Sequence, residues 1–284
     1  MDTFWIILTG ALVAVSCSLL GSFLILRKMS MVGDAISHSV LPGIVIAYFI
    51  AGSMQSIWML VGAGILGVIT TFLIEFFHQK GKLQTDASIG VTFTWLFALG
   101  VILVSYYAGN AHIDQDCILH GEIAYVPLDL VYMAAGTSIA PKAILILGSV
   151  FLLIIVFIVL FYKELLITTF DPGYAKAIGM SISRWHYLLM GLVSLTTVAS
   201  FESVGAILVV AFLIAPAASA YLITRDLKQM LLLGVCFGVL SSIGGYYLAY
   251  VLNGSIAGAM VTVSGLVFAS CYLYVRTISR KLSS

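Results

Sequence analysis

Long apolar runs separated by short polar segments dominate this chain. Runs of roughly 18 or more apolar residues match the length that an α-helix needs to cross the hydrocarbon core of a bilayer. The pattern therefore predicts an all-α bundle of nine membrane-spanning helices, at about 4–26, 33–51, 56–77, 87–107, 141–162, 186–203, 206–223, 230–252 and 256–275. If the two short runs within 186–223 formed one crossing with a broken insertion, the count would be eight.

The composition agrees with a membrane protein and excludes several other classes. Of the 284 residues 62% are hydrophobic and 9% charged, and the mean hydropathy is +1.15, values that no soluble domain of this size would show. The net charge of +1, without a long basic run, gives no indication of nucleic-acid binding. The four cysteines are scattered without a CxxC pair, so we expect neither a disulfide framework nor a zinc finger.

The chain shows no internal repeat and no Pro/Gly/Ser-rich linker, so residues 1–284 are interpreted as one transmembrane domain. The N-terminal run lacks the basic region of a signal peptide and is expected to be the first span rather than a cleaved leader. Two glycine pairs, Gly234 with Gly238 and Gly254 with Gly258, have the GxxxG spacing that allows close helix packing.

Lysine and arginine predict the orientation, because they are enriched in cytoplasmic loops. With the N-terminus outside and the C-terminus inside, Lys142 is the single one of the 13 basic residues that faces the exterior. The eight-helix alternative would also place Arg225 and Lys228 outside. This distribution therefore favours an odd number of crossings.

The stretch from Asp34 to Gly43 places a carboxylate and an imidazole inside a predicted span. Asp34 and His38 are four residues apart and so share one face of a helix. His38 would lie roughly 15 Å from the cytoplasmic end of its helix, near the middle of the bilayer. Ionisable groups at that depth are costly and usually functional, although such a pair could also bond only to itself or cap a neighbouring helix.

Pro42 follows His38 by four residues and has no N–H to donate to the carbonyl of that residue. We therefore expect a helix kink at Pro42 and Gly43 that leaves a free backbone oxygen beside the imidazole. Carboxylate, imidazole and carbonyl groups together form a donor set suited to a divalent metal ion.

Two further regions carry polar residues with less decisive patterns. Glu202 falls near the outer end of a short span, where it would be a gate or late metal ligand, or equally an ordinary residue of an external turn. The external loop, about 108–140, holds a cluster of polar residues that could collect metal ions. Interfacial helices with solvated polar faces are the favoured interpretation, because nothing requires these side chains to be desolvated. The cluster consists of His112, Asp114, Asp116, His120 and Glu122.

The cytoplasmic segment at about 170–180 has the pattern of a short capped helix. Asp171 is a favourable N-cap, Pro172 suits the first turn, and Gly179 suits the position just after the helix. Tyr174, Ala177 and Ile178 would share one side, which fits docking to another protein or packing on the bundle itself.

The chain has no sequence for ATP binding of the Walker A type. The motif requires G-x-x-x-x-G-K-[ST], whereas Gly81-Lys82 is followed by Leu83 and has Phe76 in place of the first glycine. Any uphill transport must therefore draw its energy from a partner or from an ion gradient.

Four motifs in order resemble the membrane permease subunits of ATP-binding-cassette importers for manganese, zinc or iron, the ABC-3 family. They extend over nearly the whole chain: Gly33 to Gly43, Leu119 to Ile123, Phe170-Asp171-Pro172 with Gly179, and Val204 to Val209 with Pro216-Ala217-Ala218. The external residues Asp114 to Cys117 and Gly121 to Pro127 look more like the manganese and iron branch. His120 departs from the family, since many relatives have an aromatic residue there.

The resemblance implies a multi-pass permease of a bacterial cell membrane, without enzyme activity or a permanently bound cofactor, whose substrate is Mn²⁺, Zn²⁺ or Fe²⁺. It implies a second permease subunit, two ATP-binding subunits and an extracytoplasmic metal-binding protein. It also implies that Asp34 and His38 line the metal path. The helix at about 170–180 would be the coupling helix, which docks on the ATPase through Phe170, Asp171, Pro172, Ala175, Ala177 and Gly179.

A secondary metal transporter, in which Asp34 and His38 carry a coupling proton, is the alternative. It would not need an ATPase bound at 170–180. A purely structural membrane scaffold would make no use of a carboxylate and an imidazole near the midplane. Carboxylate and imidazole ligands suit manganese or iron, whereas the general order of metal affinities would favour zinc.

Overall fold

The computed structural model describes residues 2–51, 56–107, 123–132 and 138–282. Within these ranges nine segments are helical, long enough and apolar enough to cross a membrane, which confirms the predicted all-α, polytopic architecture. Residues 186–223 form two separate helices divided at Gly205, whose positive φ of 78° ends the first of them.

The helices and strands follow one another in chain order. The first half holds α1 (Asp2–Leu26), α2 (Val32–Ser39), α3 (Leu41–Ala51), α4 (Ser56–Gln79), α5 (Thr85–Tyr107), a 3₁₀ turn (Ile123–Leu128) and the antiparallel strands β1 (Leu130–Tyr132) and β2 (Ser138–Pro141). The second half holds α6 (Lys142–Leu160), α7 (Tyr162–Phe170), α8 (Pro172–Ala177), α9 (Ile182–Val204), α10 (Ala206–Ile223), α11 (Leu227–Leu252) and α12 (Ile256–Leu282).

Helices α1, α10, α11 and α12 pack on one another and form one part of the bundle. The second part consists of α2 to α5, and α9 lies between the two, in contact with α1, α2, α4, α6 and α10. Small residues permit this packing, since a Cβ atom added at Gly21 of α1 would overlap the carbonyl oxygen of Leu213 in α10. Helix α9 also follows α8 in the chain, so it connects α8 to both parts of the bundle.

The prediction for the two GxxxG pairs is confirmed for one and wrong for the other. Added Cβ atoms at Gly234 and Gly238 would press against Ser18 and Ala14 of α1, so this pair does allow close approach. Gly254 has open space around it, and at Gly258 only Ser255 is near. The second pair lies across the turn between α11 and α12 rather than on one helix face, which is why its spacing has no packing consequence.

Candidate functional site

Asp34 and His38 both lie on α2 and point in the same direction, as their spacing predicts. The His38 Nε2 atom is 3.6 Å from the Asp34 Oδ1 atom, and the two side chains are 39% and 32% exposed on the isolated chain. The imidazole lies beside the rings of Phe93 and Phe97 of α5, with centroid separations of 6.0 and 5.9 Å. The pair is therefore held on one side by aromatic rings and remains accessible on the other.

The second span is interrupted at Val40, where α2 ends and α3 begins one residue later. The break lies two residues before Pro42, within the turn whose hydrogen bonding a proline disturbs. Gly43 allows close packing, because an added Cβ there would overlap the carbonyl oxygen of Gly62 in α4, and its part in the kink stays a prediction. Metal binding by the His38 carbonyl stays a prediction.

Hydroxyl groups fix α2 against its neighbour. The Ser39 and Thr70 hydroxyl oxygens are 2.7 Å apart, which joins α2 to α4, and the Ser37 hydroxyl donates to the Gly33 carbonyl at 2.9 Å. Both serines are buried. The Ser39–Thr70 contact limits the rotation of α2 against α4 and thereby holds the direction in which Asp34 and His38 point, whereas the Ser37 bond lies within α2 itself.

A single chain does not complete a metal site within the part of it that the structure describes. No three His, Cys, Asp or Glu side chains come together there, so Glu202 in the last turn of α9 does not join the pair on α2 within this chain. The external residues from His112 to Glu122 lie outside the described ranges. Any metal bound at α2 therefore needs further ligands from elsewhere.

The predicted capped helix is present as α8. The Asp171 carboxylate accepts a hydrogen bond of 2.8 Å from the Tyr174 backbone N–H, and Pro172 occupies the first turn. At the other end, Gly179 has a φ of +81°. The backbone N–H groups of Gly179 and Met180 donate to the carbonyls of Lys176 and Ala175, the pattern of a Schellman motif.

The two sides of α8 differ in exposure. Tyr174 is 55% exposed and Ile178 is 49% exposed, and Ala177 also faces outward, as the spacing predicts. Ala175 is fully buried, since it lies two residues from Ala177 and so points to the opposite side of the helix. The prediction that Ala175 is among the docking contacts is therefore wrong, and its side chain instead packs α8 against the bundle.

Arg27, directly after α1, connects this helix to the residues that precede α8. Its Nε and a terminal guanidinium nitrogen donate to the Thr169 and Thr168 hydroxyls, each at 3.2 Å. Burial lowers the pKa of Arg27 to about 10, so the guanidinium stays protonated at neutral pH. The sequence pattern did not single out this residue.

A second carboxylate–imidazole pair joins two helices. The His186 Nε2 atom of α9 is 3.0 Å from the Glu75 Oε2 atom of α4, and both side chains are 11% exposed. The Gln79 amide donates to the other Glu75 oxygen. The sequence pattern singled out neither residue, because the two partners are far apart in the chain.

Comparison with known proteins places these features in a family. The model of the ABC 3 transport family matches residues 2–275. The chain is 52% identical over 270 residues to the manganese transport system membrane protein MntD of Bacillus subtilis, covering 95% of this chain and 91% of the relative. It is 44% identical over 272 residues to the zinc transport system membrane protein TroD of Treponema pallidum, covering 96% of this chain and 74% of the relative.

The fold agrees with these relationships. The solved structure of PsaBC from Streptococcus pneumoniae in complex with Fab is similar, with a TM-score of 0.76, 34% sequence identity and coverage of 94% of this chain and 90% of that one. The chain is thus a multi-pass membrane permease rather than an enzyme, the permease component of an ABC metal importer, and it belongs to the ABC 3 transport family.

Proposed function

We propose that this permease moves a divalent transition metal ion, manganese before zinc or iron, into the cytoplasm along a path lined by Asp34 and His38. The observation that supports the proposal is an accessible carboxylate and imidazole, 3.6 Å apart, inside a membrane-spanning segment. Polar groups at that depth are costly unless they serve transport or pair with each other. A separation of 3.6 Å with partial exposure leaves both groups free to accept a metal ion.

The proposed site lies between two permease subunits. One copy contributes one carboxylate and one imidazole, whereas manganese takes about six ligands and zinc about four. A second copy or a close relative, facing the first across a two-fold axis, would supply the same two groups again. Two aspartates would also balance the charge of a divalent ion within the membrane.

Manganese is favoured by the ligand chemistry together with the relatives. Carboxylate and imidazole ligands suit manganese without the thiolates that softer metals prefer. The relative with 52% identity is named for manganese transport, although the relative with 44% identity is named for zinc. Zinc, and also iron, therefore remain the substrates against which manganese should be compared.

Energy would come from two ATP-binding subunits that dock on the exposed side of α8. The Asp171 cap and the Schellman motif give this short helix a defined shape, and its exposed apolar residues offer a contact surface. The proposed orientation places α8 in the cytoplasm, with the N-terminus outside, where an extracytoplasmic metal-binding protein would deliver the ion.

Reconstitution in liposomes with the ATP-binding subunits tests this function. We expect manganese uptake that depends on ATP and that Asp34→Asn abolishes, because this change removes the charge while keeping side-chain size. Asp86→Asn, at an exposed position in the first turn of α5, is the matched control. Normal uptake by Asp34→Asn would exclude the proposed path, and uptake driven by a proton gradient without ATP would instead support a secondary transporter.

A further inference from the structure

The buried Glu75–His186 pair lies at one end of a tightly packed contact between α4 and α9. At the other end, a Cβ added to Gly67 of α4 would overlap the Ser194 hydroxyl of α9. Eight residues separate Gly67 from Glu75, and eight separate Ser194 from His186 in the opposite direction. The two contacts therefore belong to one antiparallel register about 12 Å long.

The residues between these ends are also buried. Thr71 of α4 and Met190 of α9 are four residues from each end, and their exposed fractions are 4% and 0%. At the Glu75 end of this contact, one carboxylate oxygen contacts the His186 imidazole and the other accepts a hydrogen bond from the Gln79 amide. A contact that combines close helix packing with a buried carboxylate held by two partners resists sliding, because any shift of register takes the Glu75 carboxylate away from both of them.

This contact connects two regions that transport must link. Helix α9 begins at Ile182, two residues after the Schellman motif that ends α8. Helix α4 holds α2 through the Ser39–Thr70 hydroxyl contact, and Ile36 of α2 lies beside Gly67. The chain of contacts thus runs from α8 through α9 and α4 to the helix that carries Asp34 and His38.

We propose that Glu75 and His186 are positioning residues that make α4 and α9 move as one rigid body, so that movement of α8 reaches the metal path. The proposal rests on the proposed function, in which an ATPase moves α8. It assigns the pair no contact with the metal ion. Its role is to convert ATP-driven displacement into displacement of α2.

Neutral variants of the pair provide the first test, in the reconstituted transporter with its ATP-binding subunits. We expect Glu75→Gln and His186→Gln each to lower the number of manganese ions moved per ATP hydrolysed about tenfold, a typical coupling effect, while ATP hydrolysis continues. His78→Gln is the matched control, because His78 is exposed on the same helix and bonds to the Leu83 carbonyl. An unchanged ratio in both pair variants would overturn the proposal.

Cross-linking provides a second test that does not depend on how well the neutral variants fold. In Glu75→Cys/His186→Cys, a short thiol-specific cross-linker should restore the ratio of manganese ions moved to ATP hydrolysed, because a covalent link replaces the contact between the two side chains. A cross-linked transporter that hydrolyses ATP without uptake would overturn the proposal, since the two helices would then have to separate. Absence of ATP-dependent uptake in the unchanged protein would instead count against the proposed function.

Discussion

Two carboxylate–imidazole pairs occur in the described part of the chain, and they differ in almost every physical respect. Asp34 and His38 lie on one helix, 3.6 Å apart and about one-third exposed, whereas Glu75 and His186 join two helices at 3.0 Å with 11% exposure. The first pair retains open coordination positions. In the second pair both carboxylate oxygens already have partners within the protein.

The comparison shows that residue type alone does not define a metal site. Carboxylate and imidazole groups bind metal ions when they are accessible and incompletely bonded. When they are buried and bonded to each other they hold two helices in register, and removal of one partner is destabilising. Three measurements test whether the two pairs differ in this way.

The largest expected effect concerns stability. Glu75→Ala should lower the free energy of unfolding by about 3 kcal/mol, because it leaves the buried His186 imidazole and the Gln79 amide without the carboxylate between them. Asp34→Ala should change the free energy by about 0.5 kcal/mol or less, as is usual for an exposed site. Thermal unfolding of the two variants in the same detergent measures both, and equal destabilisation would remove the distinction between the pairs.

The second effect concerns metal binding in the assembled transporter. Manganese at about 100 times its dissociation constant should stabilise the native state by about 2.7 kcal/mol. Glu75→Gln should keep this gain, and Asp34→Asn should lose it, because the metal ion is expected to contact the pair on α2 alone. Thermal unfolding with and without manganese provides the measurement. If Glu75→Gln lost the stabilisation by manganese, metal binding would depend on the buried pair, and the assignment of the metal site to Asp34 and His38 would be wrong.

The smallest effect is the interaction within the accessible pair itself. Without metal, a double-mutant cycle of Asp34→Asn and His38→Gln should give a coupling energy below about 1 kcal/mol, the usual range for solvent-exposed ion pairs. The same cycle on Glu75 and His186 should give a larger value, because burial reduces solvent screening. Equal coupling in the two cycles would show that exposure on the isolated chain does not describe the assembled protein.

Local patterns predicted much of this protein because their causes are local. Asp171 caps α8 and Gly179 ends it, since both effects depend on hydrogen bonds within a few residues of the chain. Asp34 and His38 share a face because a helix places residues four apart on one side. The membrane-spanning helices follow from the length of the apolar runs, which the bilayer requires.

Other features depend on which helices become neighbours. Gly43 and Gly62 meet because α3 packs on α4, whereas the spacing of Gly254 and Gly258 leads to no contact at all. The burial of Ala175 likewise follows from the way α8 lies on the bundle. None of these outcomes could be predicted from spacing, because the same spacing occurs on packed and on open helix faces.

The membrane class, the helices, the capped α8 and the candidate pair on α2 are therefore predictable from the sequence, because all of them rest on hydrophobicity, helix periodicity and short-range hydrogen bonding. The pairing of Glu75 with His186 is not, because the two residues are 111 positions apart along the chain. Such a pair forms through the packing of α4 against α9, and the free energy of that packing depends on many side chains at once rather than on any local pattern.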